Sequence, residues 1–156
     1  HKQNINLLAH RIDGSRTNIM EQFKKNNRSV LFGTNSFWEG VDIPGNALTL
    51  LIIIKLPFQP PGIPTLAARM EYLRKKNQDP FRNLNLPQAI IRFKQGFGRL
   101  VRSQQDKGIV IVMDKRIIQK SYGKSFLNSL PVNTHFRGSC DDIIQVILNG
   151  NLEQIS

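Results

Sequence analysis

Three polar side chains in one helix-length stretch have the types and the spacing that suit a phosphate group. The stretch reads Gln95-Gly96-Phe97-Gly98-Arg99-Leu100-Val101-Arg102. At about 100° per residue, Gln95, Arg99 and Arg102 fall within about 60° of one another on a helix. The apolar residues on the opposite side are Ile90, Phe93, Phe97, Leu100 and Val101. Because Arg is always charged and donates in a planar, bidentate geometry, this face could bind a phosphate chain. Charge patterning alone fits a solvated helix face equally well.

A second polar segment follows a short apolar run. It reads Thr34-Asn35-Ser36-Phe37-Trp38-Glu39-Gly40-Val41-Asp42-Ile43-Pro44-Gly45. The preceding run, 29–33, is predicted to be a buried strand, so this loop stands at a carboxyl end, where open α/β sheets bind ligands. Loops of this length are more often functional than short ones. Trp38 could stack on a nucleic-acid base or could anchor the loop in the core.

The charge balance indicates an anionic partner. The chain has 22 Lys and Arg against 11 Asp and Glu, a formal net charge of +11. Nucleic acid is the usual partner of so basic a domain. No basic amphipathic helix with exposed large apolar residues is visible, so a membrane surface is not expected as the partner. A basic surface kept for solubility remains the alternative.

The apolar pattern predicts an α/β fold, a doubly wound parallel sheet flanked by helices. Strands are predicted at 7–9, 29–33, 48–56 and 108–114. Helices are predicted at 16–25, 65–76, 87–102, 121–130 and 141–148, with Ser15 as the N-cap of the first. Four prolines within 57–64 predict a stiff connector. The segment 77–86 is expected to be an irregular loop.

Length and cysteine usage bound the class of protein. The 156 residues suffice for one domain, 1–156, in which 132–156 form a C-terminal tail with a terminal helix. The chain starts at His1, which suggests a piece of a longer protein. A single cysteine, Cys140, favours a reduced, cytoplasmic protein over a disulfide scaffold. The longest apolar run, 48–54, is too short to span a bilayer.

Both polar segments resemble motifs of one enzyme superfamily. The run Ser36 to Gly45 resembles motif V of superfamily 2 helicases in the form found in DinG and XPD-like proteins. The stretch beginning at Gln95 resembles their motif VI, Q-x-x-G-R-x-x-R. Shorter segments that occur in the same order in DinG lie at 55–58, 68–71, 79–81, 86–89, 106–108 and 122–131. The resemblance covers about residues 7 to 131 and implies the second RecA-like motor domain of a DinG-like DNA helicase.

The resemblance also implies roles for individual residues. Arg99 and Arg102 match the motif VI arginines that reach the γ-phosphate across the interdomain cleft, and Gln95 matches the residue that senses the nucleotide or the opposing domain. Residues implied to touch the nucleotide or to couple it to DNA are Glu39, Gly40 and Asp42. Residues implied to contact single-stranded DNA are Thr34, Asn35, Ser36 and Trp38.

The glycines of the motif VI stretch are unusual for a helix. Gly96 and Gly98 each weaken a helix by about 1 kcal/mol relative to Ala. Close approach of another surface would explain them, and a frayed helix start is the simpler explanation.

Several parts of an ATP site are missing from the sequence. Gly123-Lys124-Ser125 has Ile118 where a phosphate-binding loop needs its first glycine, so it is not expected to bind phosphate. Asp141 and Asp142 are predicted to be charges at a helix N-terminus rather than magnesium ligands. The resemblance therefore implies that ATP and Mg²⁺ are bound mainly by the first motor domain, the N-terminal RecA-like domain of the same parent chain. This chain alone is expected to bind no cofactor and to hydrolyse no ATP.

Three functions remain open on the sequence. The first is the C-terminal motor domain of an ATP-dependent helicase that moves on single-stranded DNA. The second is a DNA-binding and ATP-sensing module of a DinG-type 3′–5′ exonuclease that does not unwind DNA. A purely structural basic domain is the third. Metal binding is not indicated, because the three histidines and one cysteine have no ligand spacing.

Overall fold

Short parallel strands alternate with helices along the chain. The structure is a computed structural model that describes residues 5–34, 48–60, 62–100, 108–132 and 135–149, with only the backbone at 99 and 100. The described strands are β1 (Asn6–Ala9), β2 (Ser29–Phe32), β3 (Leu50–Ile53) and β4 (Ile109–Val112). The described helices are α1 (Arg16–Lys25), α2 (Pro64–Lys75), α3 (Leu86–Leu100), α4 (Arg116–Gln119), α5 (Gly123–Leu127) and α6 (Cys140–Leu148). The predicted α/β class with parallel strands is confirmed at this level.

The first strand pair is packed against α1. β1 and β2 run parallel, with Leu8 opposite Leu31. Apolar side chains at helical spacing face this pair, and the buried residues of the cluster are Leu8, Ile19, Met20 and Phe23. The helix begins where predicted, because the Ser15 hydroxyl accepts a hydrogen bond from the Asn18 amide at 3.4 Å.

The second strand pair carries the larger core. β3 and β4 are parallel, with Ile53 opposite Val112. The buried residues of this cluster come from β3, from the segment just after it and from three helices: Ile53, Leu56, Ala89, Phe93, Ile117 and Phe126. Val110 and Val112 of β4 are partly buried against them. The Phe93 and Phe126 rings meet edge to face at 5.3 Å between centroids, which joins α3 to α5.

Both strands of the second pair are shorter than predicted. The predicted strands 48–56 and 108–114 are reduced to β3 and β4, of four residues each. Met113 still donates to the Ile53 carbonyl at 2.9 Å, but the Leu56 amide donates to the Asp114 carboxylate at 2.8 Å. Pro57 then has no N–H to donate. A side chain therefore replaces the backbone ladder beyond Ile53.

The predicted loop at 77–86 is wrong in its second half. The structure forms a π-helical turn, Phe81–Asn85, directly before α3. Asp79 starts this turn, because its carboxylate accepts from the Phe81 amide at 2.8 Å. The Phe81 ring packs 5.2 Å from Tyr122 and 5.7 Å from Phe58, measured between ring centroids. Aromatic contacts with distant segments, which local composition does not reveal, stabilise this turn.

The last helix, α6, begins with a reciprocal cap. The Ser139 hydroxyl accepts from the Asp142 amide at 3.2 Å, and the Asp142 carboxylate accepts from the Ser139 amide at 2.8 Å. Asp141 and Asp142 therefore lie in the first turn of α6, as predicted. None of the described helices has the length and apolar character needed to cross a membrane.

Candidate nucleotide-facing surface and strand ends

Of the three residues of the predicted polar face, the structure describes the side chain of Gln95. Phe93 and Phe97, 1% and 6% exposed, pack into the molecule, as the helical spacing predicts. Gln95 is exposed on the other side. Arg99 lies in the last described turn of α3, and Arg102 falls outside the described residues. At the start of the motif VI stretch, Gln95 thus points away from the core, whereas Phe97 packs into it.

The two glycines of α3 have different surroundings. Gly96 is buried, whereas Gly98 is exposed. A methyl group built at Gly98 would meet no atom within 4 Å. Packing among the described residues therefore gives no reason for a glycine at position 98.

The loop residues after β2 are described only at their start. Thr34 is exposed beyond the end of β2, and its hydroxyl lies 3.0 Å from the His10 Nδ1. The other predicted residues of this segment lie outside the described residues: Asn35, Ser36, Trp38, Glu39, Gly40 and Asp42. His10 was not predicted to take part. Parallel pairing could have indicated it, because His10 follows β1 as Gly33 and Thr34 follow β2.

Asp114 and Arg116 form a second arrangement that the sequence did not reveal. The Asp114 carboxylate, 8% exposed, accepts from Arg116 Nη2 at 2.6 Å and from Arg116 Nε at 2.9 Å. Together with the Leu56 amide, these donors lower the pKa of Asp114 from 3.8 to about 2, although burial opposes the shift. The Arg116 guanidinium also lies 5.3 Å from the Phe58 ring centroid. This pair joins the ends of β3 and β4 to the proline-rich connector.

The Gly123-Lys124-Ser125 segment has a packing role. It opens the five-residue helix α5, and a methyl group built at Gly123 would collide with the Ile117 carbonyl of α4. The glycine is thus required by the close contact of two short helices. Within the described part of the chain, no three His, Cys, Asp or Glu side chains are grouped as a metal site would need.

Comparison with known proteins decides the family. The helicase C-terminal domain family matches residues 1–133. The chain belongs to this family. It is 48% identical over 131 residues to the 3′-5′ exonuclease DinG of Bacillus subtilis, covering 83% of this chain and 14% of that protein. It is 47% identical over 135 residues to the ATP-dependent DNA helicase YoaA of Haemophilus influenzae, covering 86% of this chain and 21% of that protein.

A third relative shows a similar level of sequence identity. The ATP-dependent DNA helicase YoaA of Escherichia coli is 46% identical over 117 residues, which are 75% of this chain and 18% of that protein. The chain therefore matches about a fifth or less of the length of each of these relatives. The resemblance to DinG-like helicases is confirmed.

Proposed function

We propose that this chain is the second, RecA-like motor domain of a DinG-type, ATP-dependent DNA helicase. The match over residues 1–133 to the helicase C-terminal domain family carries the proposal. The exposed Gln95 and the open surface at Gly98 support it, because both belong to the part of α3 that turns away from the core. In this proposal residues 1–156 form one domain with a C-terminal tail at 132–156.

The proposed mechanism assigns charge stabilisation to the end of α3. Arg99 and Arg102 stabilise the negative charge that develops on the γ-phosphate of ATP during hydrolysis. Gln95 senses the nucleotide or the opposing domain. ATP and Mg²⁺ are held mainly by the first motor domain of the same polypeptide, and this domain supplies the other side of the cleft.

The loop after β2 couples this cleft to DNA in the proposal. The residues assigned to nucleotide contact and coupling are Glu39, Gly40 and Asp42. The residues assigned to single-stranded DNA are Thr34, Asn35, Ser36 and Trp38. The exposure of Thr34 at the carboxyl end of β2 supports this assignment, since ligands of open α/β sheets bind at that edge.

A second candidate function follows from one relative. The Bacillus subtilis relative is named a 3′-5′ exonuclease. The corresponding alternative is a DNA-binding and ATP-sensing module that regulates a nuclease and does not unwind DNA. The complete polypeptide distinguishes the two: strand displacement from a forked duplex supports the helicase, and loss of a 3′-end label without displacement supports the nuclease.

The deciding experiment replaces Arg102 by Ala in the complete polypeptide. We expect the ATPase rate to fall by about 10³-fold or more, because one guanidinium that stabilises phosphoryl transfer contributes that much in related enzymes. Affinity for single-stranded DNA should stay within about twofold of the wild type, since the arginine contacts nucleotide rather than DNA.

The matched control is Arg74→Ala, which removes an exposed arginine of α2 outside the segments shared with DinG. This control should hydrolyse ATP at the wild-type rate. Unchanged ATPase in Arg102→Ala would overturn the assigned role of the arginine.

A further inference from the structure

A groove lies at the carboxyl ends of β3 and β4, and none of its described lining residues belongs to the motif V or motif VI segments. Its volume is about 690 Å³, and it is open to solvent along one side. Lys55 lines it just beyond β3, and Lys115 and Arg116 line it just beyond β4. Nothing in the proposed mechanism uses these residues.

The groove carries positive charge that is not neutralised by acidic side chains of the described residues. Among the described residues, neither Lys55 nor Lys115 forms an ion pair. The one carboxylate among the lining residues, Asp114, is 8% exposed and is already paired with Arg116. Because the acid is neutralised internally, the two lysines present an uncompensated positive charge to whatever enters the groove.

Exposed apolar side chains stand beside these lysines. Ile54 is 65% exposed and Met113 is 53% exposed, and both line the same groove. The Met113 amide donates to the Ile53 carbonyl at 2.9 Å, which holds the two strand ends side by side. Adjacent strands lie about 4.8 Å apart, so the segments that follow them form one continuous surface.

We propose that this groove binds the phosphodiester backbone of single-stranded DNA. Lys55 and Lys115 contact phosphates, while Ile54 and Met113 contact the sugars and bases that only an unpaired strand exposes. Proteins that bind single strands combine a positively charged groove with aromatic side chains on which bases stack. Here the lysines supply the charge, and the aliphatic Ile54 and Met113 supply apolar contact without stacking. The inference rests on the proposed function, which makes single-stranded DNA the polymer on which the protein moves.

The test measures the salt dependence of DNA binding by the 156-residue chain. A fluorescein-labelled oligothymidylate is titrated by anisotropy at several sodium chloride concentrations. The double variant Lys55→Gln, Lys115→Gln should bind at least about fivefold more weakly at low salt. The slope of log K against log salt should become shallower by about 1.4, since each phosphate contact to a single strand contributes about 0.7.

Two matched variants distinguish an effect of the groove on DNA binding from the effect of removing positive charge anywhere on the surface. Lys24→Gln, Lys25→Gln removes the same charge from α1, in the other core region, and should change affinity by less than about twofold. Lys55→Arg, Lys115→Arg keeps the charge and should retain the wild-type slope. Equal thermal unfolding midpoints show that each variant is folded.

The outcomes distinguish the inference from the function on which it rests. If the wild type binds DNA and the Lys55→Gln, Lys115→Gln variant binds with the same affinity and slope, the groove does not bind DNA. The proposed function is not affected by that result. An equal loss of DNA affinity in the Lys24→Gln, Lys25→Gln variant would also contradict binding by the groove. If the wild-type chain shows no binding at micromolar protein and low salt, both the groove and the proposed DNA contacts of this domain fail.

Discussion

Asp114 joins three separate parts of the second core through one carboxylate. It accepts from the Leu56 amide at the end of β3 and from Arg116 at the start of α4, and Arg116 in turn covers Phe58. A carboxylate with a lowered pKa stabilises the folded state at every pH above its usual pKa of 3.8. This contribution is lost as pH falls from about 4 to about 2, because the unfolded chain binds a proton in this range while the carboxylate of the folded protein stays ionised.

At the residue scale, we predict that Asp114→Asn lowers the free energy of unfolding by about 2 kcal/mol at pH 7. The pKa shift of the carboxylate, from 3.8 to about 2, corresponds to that amount at about 1.4 kcal/mol per unit. Urea unfolding at pH 7 and at pH 3 measures the difference, which should be smaller at pH 3. The control is Asp141→Asn, an exposed acid of α6. A difference that does not change with pH would contradict this account.

Which residues the sequence could predict depends on how far away their partners lie. Helical spacing alone predicts that Phe93 and Phe97 are buried and that Gln95 is exposed, because these positions are fixed within one helix. Asp114 is different, since its partner Leu56 is 58 residues away in the chain. Only the parallel pairing of β3 with β4 brings them together, and that register cannot be read from either segment alone.

At the scale of elements, the contact between α4 and α5 depends on a missing side chain. A methyl group at Gly123 would collide with the Ile117 carbonyl, which is backbone and cannot rotate away. The short helix α4 was not predicted, because four residues carry too little apolar periodicity. The longer helices and all four strands were predicted within a few residues of their bounds, since their apolar patterns span whole elements.

We predict that Gly123→Ala destabilises the chain by about 1–3 kcal/mol, the usual cost of overpacking a core contact. Chemical denaturation followed by circular dichroism measures the loss. Gly62→Ala is the matched control, because a methyl group there meets nothing within 4 Å, and it should be close to neutral. Equal stability of the two variants would show that α4 and α5 separate at no cost.

At the scale of the whole molecule, the proposed function explains two features together: the exposed surface at the end of α3 and the excess of positive charge. The chain carries a net charge of +11, and the end of α3 presents Gln95 and Gly98 to solvent. Neither feature is needed by the two cores, whose apolar residues lie on the other faces of the helices. The proposed function accounts for both features, because it has this domain close on a nucleotide and a nucleic acid that another domain helps to hold.

Gly98→Ala tests this explanation, because it should affect the isolated chain and the complete polypeptide in opposite directions. In the 156-residue chain the added methyl group meets nothing within 4 Å, so the helix should gain up to about 1 kcal/mol of stability. In the complete polypeptide the same methyl group should obstruct closure of the cleft and lower the DNA-stimulated ATPase rate about tenfold or more. Thermal unfolding of the first and steady-state ATPase of the second are the two measurements. Full ATPase activity in a stabilised Gly98→Ala protein would show that no surface approaches α3 at this point.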